Sequence, residues 1–265
     1  MNLNIKNEYD KLLKVILAPV REEYLEQQNQ LIEILKKYNV QVLMSEKCND
    51  FKYQMFIRDP FIVVGNKILI VCMKDKIRRL ELNTIEKILD KIDDEKKVYL
   101  NDDTIVEGGD IIIHNNFIFV GQNGNRTNKK GLEFIKETFG NKYKIISLNM
   151  INPNKEFIPF VHLDCLFNPI SSDTVILYRE GFDAQSLKQI EKIFSNIIYI
   201  NSMEQDELAS NVFSLGNKTV IMQKRHYRLI NILKKYGFKI ETMNEYTTIK
   251  ETGYIRCLTC PLERK

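Results

Sequence analysis

Apolar residues along this chain follow two patterns that alternate from end to end. The first is a pair of short continuous apolar runs split by a turn, as in Phe61-Ile62-Val63-Val64-Gly65-Asn66-Lys67-Ile68-Leu69-Ile70-Val71. Gly and Asn tolerate the positive φ of a tight turn, so this reads as a β-hairpin. The pattern returns in Ile111-Ile112-Ile113-His114-Asn115-Asn116-Phe117-Ile118-Phe119-Val120 and around Ser171-Ser172-Asp173, ending in Val175-Ile176-Leu177-Tyr178. A fourth copy is Val212-Phe213-Ser214-Leu215-Gly216-Asn217-Lys218-Thr219-Val220-Ile221-Met222. With turns taken at Asn66, Asn116, Ser172 and Asn217, the copies lie 50, 56 and 45 residues apart.

The second pattern is an amphipathic helix followed by a strand. Residues 24–38 carry Leu25, Leu31, Ile32, Ile34 and Leu35 at helical spacing and precede Val40-Gln41-Val42-Leu43. Predicted helices over 82–92, 130–139, 185–194 and 227–236 precede Val98-Tyr99-Leu100, Ile145-Ile146-Ser147-Leu148, Ile197-Ile198-Tyr199-Ile200 and Phe238-Lys239-Ile240. Five helix–strand pairs plus hairpins make five units of about 50 residues, the range of blades and arrays. The fifth hairpin must join the 12–17 strand to a strand near Cys257, closing a ring. Gly and Pro number only 11 and 6 and no low-complexity tract interrupts the pattern, so residues 1–265 are expected to form a single domain.

Composition narrows the class. A hydrophobic fraction of 44% and a charged fraction of 28% are those of a soluble globular protein, and no apolar run is long enough for a bilayer span. The opening residues MNLNIKNEYDKLLK carry early charges of both signs and no apolar h-region, which argues against a secretory signal. Five cysteines are an odd and scattered set, so a reducing cytoplasm is expected rather than a disulfide framework. The net charge of +4 is spread as mixed-sign runs, with no basic stripe for nucleic acid and no membrane-binding tail.

The residues suited to chemistry keep the same period. Asp59 leads into the first hairpin, Glu107 and Asp110 into the second, His162 and Asp164 into the third, Asn211 into the fourth, and Cys257 comes last. Taking Asp59, Glu107, His162, Asn211 and Cys257, the separations are 48, 55, 49 and 46. In a closed ring, equivalent positions converge on the axis, so these distant residues are expected to meet in one pocket.

Phe56-Ile57-Arg58-Asp59-Pro60, Glu107-Gly108-Gly109-Asp110, His162-Leu163-Asp164 and Arg256-Cys257-Leu258-Thr259 resemble, in order and spacing, the four blocks of the guanidino-group-modifying superfamily. That superfamily comprises arginine deiminases, dimethylarginine dimethylaminohydrolases and amidinotransferases. The resemblance runs from about Leu12 to Arg264 and implies a five-bladed pseudo-symmetric α/β propeller of ββαβ units, the pentein fold. The size is nearer that of the dimethylarginine dimethylaminohydrolases than of arginine deiminases, which carry a helical insertion.

The chemistry assigns roles within that resemblance. A guanidinium carbon is a poor electrophile, and two carboxylates can grip its N–H groups and keep it planar and charged. Asp59 and Asp164 are expected to do so, with the Cys257 thiolate attacking the carbon. His162 is expected to protonate the leaving amine and then deprotonate water, with Glu107 orienting it. Phe56 resembles the family residue that stacks on the guanidinium, and Asp110 a further residue that contacts substrate or an arginine. Arg126, in the 121–128 loop, and Arg78, 19 residues after Asp59, resemble the family's carboxylate-binding arginines.

The expected activity is hydrolysis of a C–N bond of arginine or an Nω-substituted arginine, giving citrulline through a covalent thiouronium. An amidinotransferase is the alternative, and a non-catalytic binding module a third, which has no need of all five polar groups. No cofactor or metal is expected: Cys257 and Cys260 form a C-x-x-C, but no second ligand pair accompanies it. Cys260 is expected to pack in the strand or line the pocket, Cys48 and Cys72 to be core thiols, and His114 and His226 to be structural. Cys165 stands where the family more often has Thr or Ser. Two departures from the family pattern are the glycine-poor stretch 251–254 and the short connection from Leu17 to the first helix. The latter predicts an open site, or a lid from a second subunit in a homodimer. The partner otherwise expected is a small arginine-like guanidino compound.

Overall fold

The computed structural model describes residues 1–122, 126–151, 162–244 and 253–265. Fifteen strands among them form five three-stranded sheets of one topology. In the second, β3 (Phe61–Val64) and β4 (Lys67–Ile70) run antiparallel, and β5 (Lys97–Tyr99) returns parallel to β4. The third repeats this with β6 (Ile111–His114), β7 (Phe117–Gln122) and β8 (Lys144–Asn149). The fourth uses β9 (Phe167–Pro169), β10 (Thr174–Leu177) and β11 (Asn196–Tyr199), and the fifth β12 (Phe213–Gly216), β13 (Thr219–Gln223) and β14 (Lys239–Met243).

The first sheet closes the ring as the sequence predicts. Strand β1 (Leu12–Leu17) pairs antiparallel with the C-terminal β15 (Cys260–Arg264) and parallel with β2 (Gln41–Met44). The architecture is the five-bladed pseudo-symmetric α/β propeller of the pentein fold.

The turns that set this repeat are built in more than one way. Gly65, Asn115 and the Gly216-Asn217-Lys218 run take positive φ, which Gly and Asn adopt at least cost. The third hairpin has no such residue. There Ser171 Oγ accepts from the Thr174 amide and donates to Asp173, so side chains make the turn.

Parallel pairing within each blade needs a crossover, and amphipathic helices supply most of them. They are α1 (Leu25–Lys37), α4 (Lys129–Phe139), α5 (Ala184–Glu191) and α7 (Tyr227–Lys235). The crossover predicted as one helix over 82–92 is instead broken. A short α2 (Lys76–Arg79) leads into a 3-10 stretch Leu80–Ile85 and then α3 (Glu86–Leu89). An additional short helix, α6 (Ser202–Asp206), opens with a capping box in which Asn201 and Glu204 satisfy each other's backbone amides.

The hairpin strands are mostly buried, whereas the third strand of each blade is largely half-buried or exposed. The core therefore lies in the inner two strands and under the helices, and the innermost strand of each blade begins beside the axis. Among the described residues no helix is long and apolar enough to cross a membrane.

Candidate active site

The residues leading into the hairpins do meet. The Gly108 amide donates to Asp59 O at 2.8 Å, and the Arg58 amide to Cys257 O at 3.2 Å. Glu107 accepts from His162 Nε2 at 2.6 Å, and His162 Nδ1 lies 3.5 Å from Asp59 Oδ1. Asn211 Nδ2 reaches Cys257 Sγ at 3.5 Å and Asp164 O at 3.3 Å. Side chains from all five blades thus converge on one buried spot.

Local sequence explains the close approach. Gly108-Gly109-Asp110 forms a 3-10 turn, and Leu163-Asp164-Cys165 forms the equivalent turn one blade on. A Cβ on Gly109 would come within 2.7 Å of the His162 ring, and one on Gly108 within 2.1 Å of Arg58 O. Only glycine lets His162 lie flat against this backbone.

Charge is balanced by pairs. Burial alone would deprotonate His162, but Asp59 and the Glu107 hydrogen bond outweigh it and raise its pKa to about 10. Burial would likewise raise Glu107, yet His162 and Arg126 bring it down to about 2. The pair is therefore an imidazolium–carboxylate at neutral pH. Burial pushes Asp110 up to about 7, offset in part by His162, Thr127 and the Leu163 amide. Burial also raises Asp164, against the pull of Arg256 and Arg58.

The nine predicted residues have different surroundings. Asp59 Oδ2 accepts from Arg78 at 2.8 Å, whereas Asp59 Oδ1 is buried with no hydrogen-bond partner. Asp164 Oδ2 is also buried without one, 3.6 Å from Arg256 Nε. Phe56 stacks on Tyr53 at 6.3 Å, and its ring edge lies against Gly253, where a Cβ would come within 2.2 Å.

Asp110 touches no arginine in its hydrogen bonds. It accepts from Thr127 Oγ1 at 2.7 Å and the Leu163 amide at 3.0 Å, tying the Glu107 turn to the His162 turn. Arg126 Nη1 lies 3.3 Å from Glu107 Oε2 with its side chain 30% exposed, at the mouth of the site.

Arg78 sits differently from a carboxylate reader. It is buried, and its donors go to Asp59, to both oxygens of Glu81, and to Tyr53 O and Phe56 O. Its guanidinium underlies Asp59 instead of facing outward. The aspartate takes the place expected of the substrate carboxylate.

Of the cysteines, Cys260 packs in its strand and Cys72 is buried, as expected. Cys260 opens β15 and directs its thiol to Phe61 O at 3.5 Å, away from Cys257. The thiol facing Cys257 is Cys165, whose sulfur lies within 4.8 Å of it and donates to Asp164 Oδ1 at 3.6 Å. Asp164, Cys165 and Cys257 bring a carboxylate oxygen and two sulfurs within 4.8 Å, a grouping that could hold a metal ion. Cys48 is half-buried, not a core thiol.

A second layer went unassigned in the sequence. Arg58 Nε donates to Arg256 O at 3.0 Å, and Arg256 Nη2 to Glu8 at 3.1 Å. Glu8 also lies 3.6 Å from Arg58 and is held below the usual carboxylate range, because these arginines outweigh its burial. Arg58 and Arg256 each stand one residue before a site residue in their own blade, a correspondence readable from the blocks. Glu8 precedes the first blade and carried no signal. Of the two family departures, residues 251–252 lie outside the described residues, as do 123–125 of the loop before Arg126.

Residues 2–264 match the family described as N,N dimethylarginine dimethylhydrolase, eukaryotic. The uncharacterized protein YkgA of Bacillus subtilis is 30% identical over 239 residues, 90% of this chain and 80% of that one. An arginine deiminase of Mycoplasma capricolum is 26% identical over 251 residues, spanning 80% of this chain and 61% of the deiminase. Among solved structures, the amidinotransferase SxtG of Microseira wollei superposes with a TM-score of 0.83 at 20% identity, covering 99% of this chain and 97% of SxtG. The N-terminal domain of ArgZ, a cyanobacterial arginine dihydrolase, superposes with 0.84 at 20% identity over 96% and 98%. With the match running from residue 2 to residue 264 and four sequence blocks gathered around Cys257, the chain belongs to the N,N dimethylarginine dimethylhydrolase family, within the guanidino-group-modifying pentein superfamily.

Proposed function

We propose that the protein is a cysteine-dependent hydrolase that converts arginine, or an Nω-substituted arginine, to citrulline. The observation that carries this reading is the pair Asp59 Oδ1 and Asp164 Oδ2. Both are buried carboxylate oxygens with no hydrogen-bond partner, beside a cysteine and a charged histidine. Buried polar atoms are ordinarily satisfied, and a planar guanidinium supplies N–H groups for both.

The steps follow from these positions. Asp59 and Asp164 hold the guanidinium, with Phe56 over its plane. Cys257 attacks the central carbon as the thiolate, forming an S–C bond and a tetrahedral adduct. His162 is charged at neutral pH and gives a proton to the departing nitrogen. The C–N bond breaks, amine or ammonia leaves, and a thiouronium remains on Cys257. His162, now neutral, takes a proton from water, which attacks the same carbon. The second adduct collapses as the C–S bond breaks, its hydroxyl proton passes to solvent, and citrulline and the thiolate are released. Glu107 stabilises the charged ring that the proton from water restores. Arg126, at the mouth of the site, is the candidate for the substrate carboxylate.

A second reading is amidinotransfer, supported by the likeness to SxtG. The first half-reaction is the same and an amine replaces water in the second. The test is incubation with arginine, methylarginines and agmatine, scoring citrulline, ornithine and released amine. Citrulline without an added acceptor supports hydrolysis, and turnover only with an added amine supports transfer. No turnover, together with no adduct on Cys257 by mass spectrometry, would overturn the proposal.

A further inference from the structure

Two thiols from different blades meet beside Asp164. Cys165 leads into β9 and Cys257 into β15, and their sulfurs lie within 4.8 Å of each other. Each carrier is pinned by its backbone. The Cys165 amide donates to His162 O at 3.1 Å, and its carbonyl accepts from Ser210 Oγ. The Cys257 carbonyl accepts from the Arg58 amide at 3.2 Å, and the Arg256 amide just before it donates to Asn211 Oδ1 at 2.9 Å. Closing the gap to a bond of about 2 Å therefore falls to χ1 rotation of the two side chains, which moves the sulfurs and leaves the backbone in place.

The other three cysteines have different surroundings. Cys260 and Cys72 direct their thiols to Phe61 O at 3.5 Å and to Asp102 O at 3.7 Å, and Cys48 lines a separate cavity with Phe51 and Met55. We propose that Cys165 and Cys257 form a modification site for hydroperoxides, in which Cys165 converts oxidised Cys257 into an intramolecular disulfide that thiol reductants reverse. This rests on the positions of two sulfurs and needs no guanidino substrate.

Atoms and electrons balance over two steps. The Cys257 sulfur attacks one oxygen of the hydroperoxide and the O–O bond breaks. The sulfur gives up two electrons and becomes a sulfenic acid, while the other oxygen takes the thiol proton and leaves as water or an alcohol. The Cys165 sulfur then attacks the sulfenic sulfur. An S–S bond forms, the S–O bond breaks, and the hydroxyl leaves as water with the Cys165 proton. Asp164 Oδ1 accepts the Cys165 S–H at 3.6 Å and is placed to pass that proton on. Cys257 is the point of entry, because it is the more exposed of the two sulfur-bearing residues. Without a neighbouring thiol, a sulfenic acid goes on to sulfinic and sulfonic acids, which thiol reductants do not reverse. The disulfide stops that ladder at a recoverable stage.

The test uses the full chain, reduced, desalted and held with a metal chelator so that no ion occupies the Asp164, Cys165 and Cys257 group. The protein is treated with hydrogen peroxide, unfolded in the presence of N-ethylmaleimide, and mapped by peptide mass spectrometry with and without dithiothreitol. The wild type is expected to give a peptide pair linked through Cys165 and Cys257, which dithiothreitol splits. In Cys165→Ser no link forms, and the share of Cys257 that dithiothreitol returns to the thiol should fall by about fivefold or more.

Loss of the Cys257 thiol to peroxide without a link to Cys165 would overturn the proposal, and so would a link from Cys257 to Cys260. A Cys257 that stays a thiol under excess peroxide overturns it as well, as does equal recovery of Cys257 in wild type and Cys165→Ser. If Cys165→Ser does not fold, the wild-type map decides alone. Turnover plays no part in the readout, so failure here and failure of the hydrolase reading are told apart.

Discussion

Replacing Glu107 by Gln should move the titration of a single histidine, and the chain is well suited to show it. It has three histidines. His114, buried between Tyr9 and Phe194, is lowered by that burial to about 4. His226 is also lowered by burial, while His162 is raised to about 10. In wild-type protein only one imidazole should therefore remain charged at pH 8. Glu107→Gln keeps the shape and a hydrogen-bonding oxygen but removes the charge 2.6 Å from Nε2. A hydrogen bond to a charged group is worth about 1.5–3 kcal/mol, and at 1.36 kcal/mol per unit its loss lowers His162 by about one to two units, to about 8–9. Asp59 remains and holds the rest of the shift. The assay is NMR of the imidazole carbons against pH, with the alkaline limb of turnover measured in parallel. Both should move down together. The reasoning is refuted if all three wild-type histidines titrate below pH 7.5, or if the variant leaves the high midpoint unmoved.

Thermal unfolding against pH should separate the same variant a second way. His162, raised from an unfolded value near 6.5, adds stability that is full below 6.5 and lost as pH climbs through about 10. Glu107, lowered from 4.5, adds stability present above 4.5 and lost as pH falls through about 2. The gap between wild type and Glu107→Gln should thus be widest between pH 4.5 and 6.5, and a gap that widens above pH 10 would contradict the pairing. Cys257→Ser should abolish turnover with an unchanged melting temperature, and retained activity would remove Cys257 from its role. Gly109→Ala places a methyl within 2.7 Å of the His162 ring. A displacement of about 1 Å at a reacting group can cost on the order of 100-fold in rate, so turnover should fall by about that much and wild-type kinetics would refute the packing argument. Arg78→Ala leaves Asp59 and Glu81 buried without their partner, which should cost about 3–5 kcal/mol. That corresponds to a melting point lower by roughly 5–10 °C, and an unchanged melting point would show that the pairing is not stabilising.

Much of the fold was legible because its rules are local. Gly65-Asn66 and Gly216-Asn217 mark hairpins through their backbone freedom, and the helical spacing of Leu31, Ile34 and Leu35 marks a buried stripe whatever lies opposite. The crossover after β4 was misread because 82–92 has helical spacing while the chain there breaks into short α and 3-10 pieces, with Arg78 and Glu81 turned inward to Asp59. Arg78, 19 residues after Asp59, resembled the family's second carboxylate-binding arginine. Whether such a cation faces solvent or a buried carboxylate is decided only when both are packed.

What the sequence by itself determined is the repeat and what recurs with it: five units of about 50 residues, and Asp59, Glu107, His162, Asn211 and Cys257 at one phase of that period. Periodicity survives in one dimension, so it can be read there. The tertiary structure decided which of these residues touch and which neighbour completes each pair. Cys260 is three residues from Cys257 yet points to Phe61, while Cys165, from another blade, shares its sulfur's surroundings. Glu8 lies before the first blade and still closes the charge balance of Arg58 and Arg256. Electrostatic and hydrogen-bond energies depend on distance through space, and ring closure makes that distance unrelated to separation along the chain.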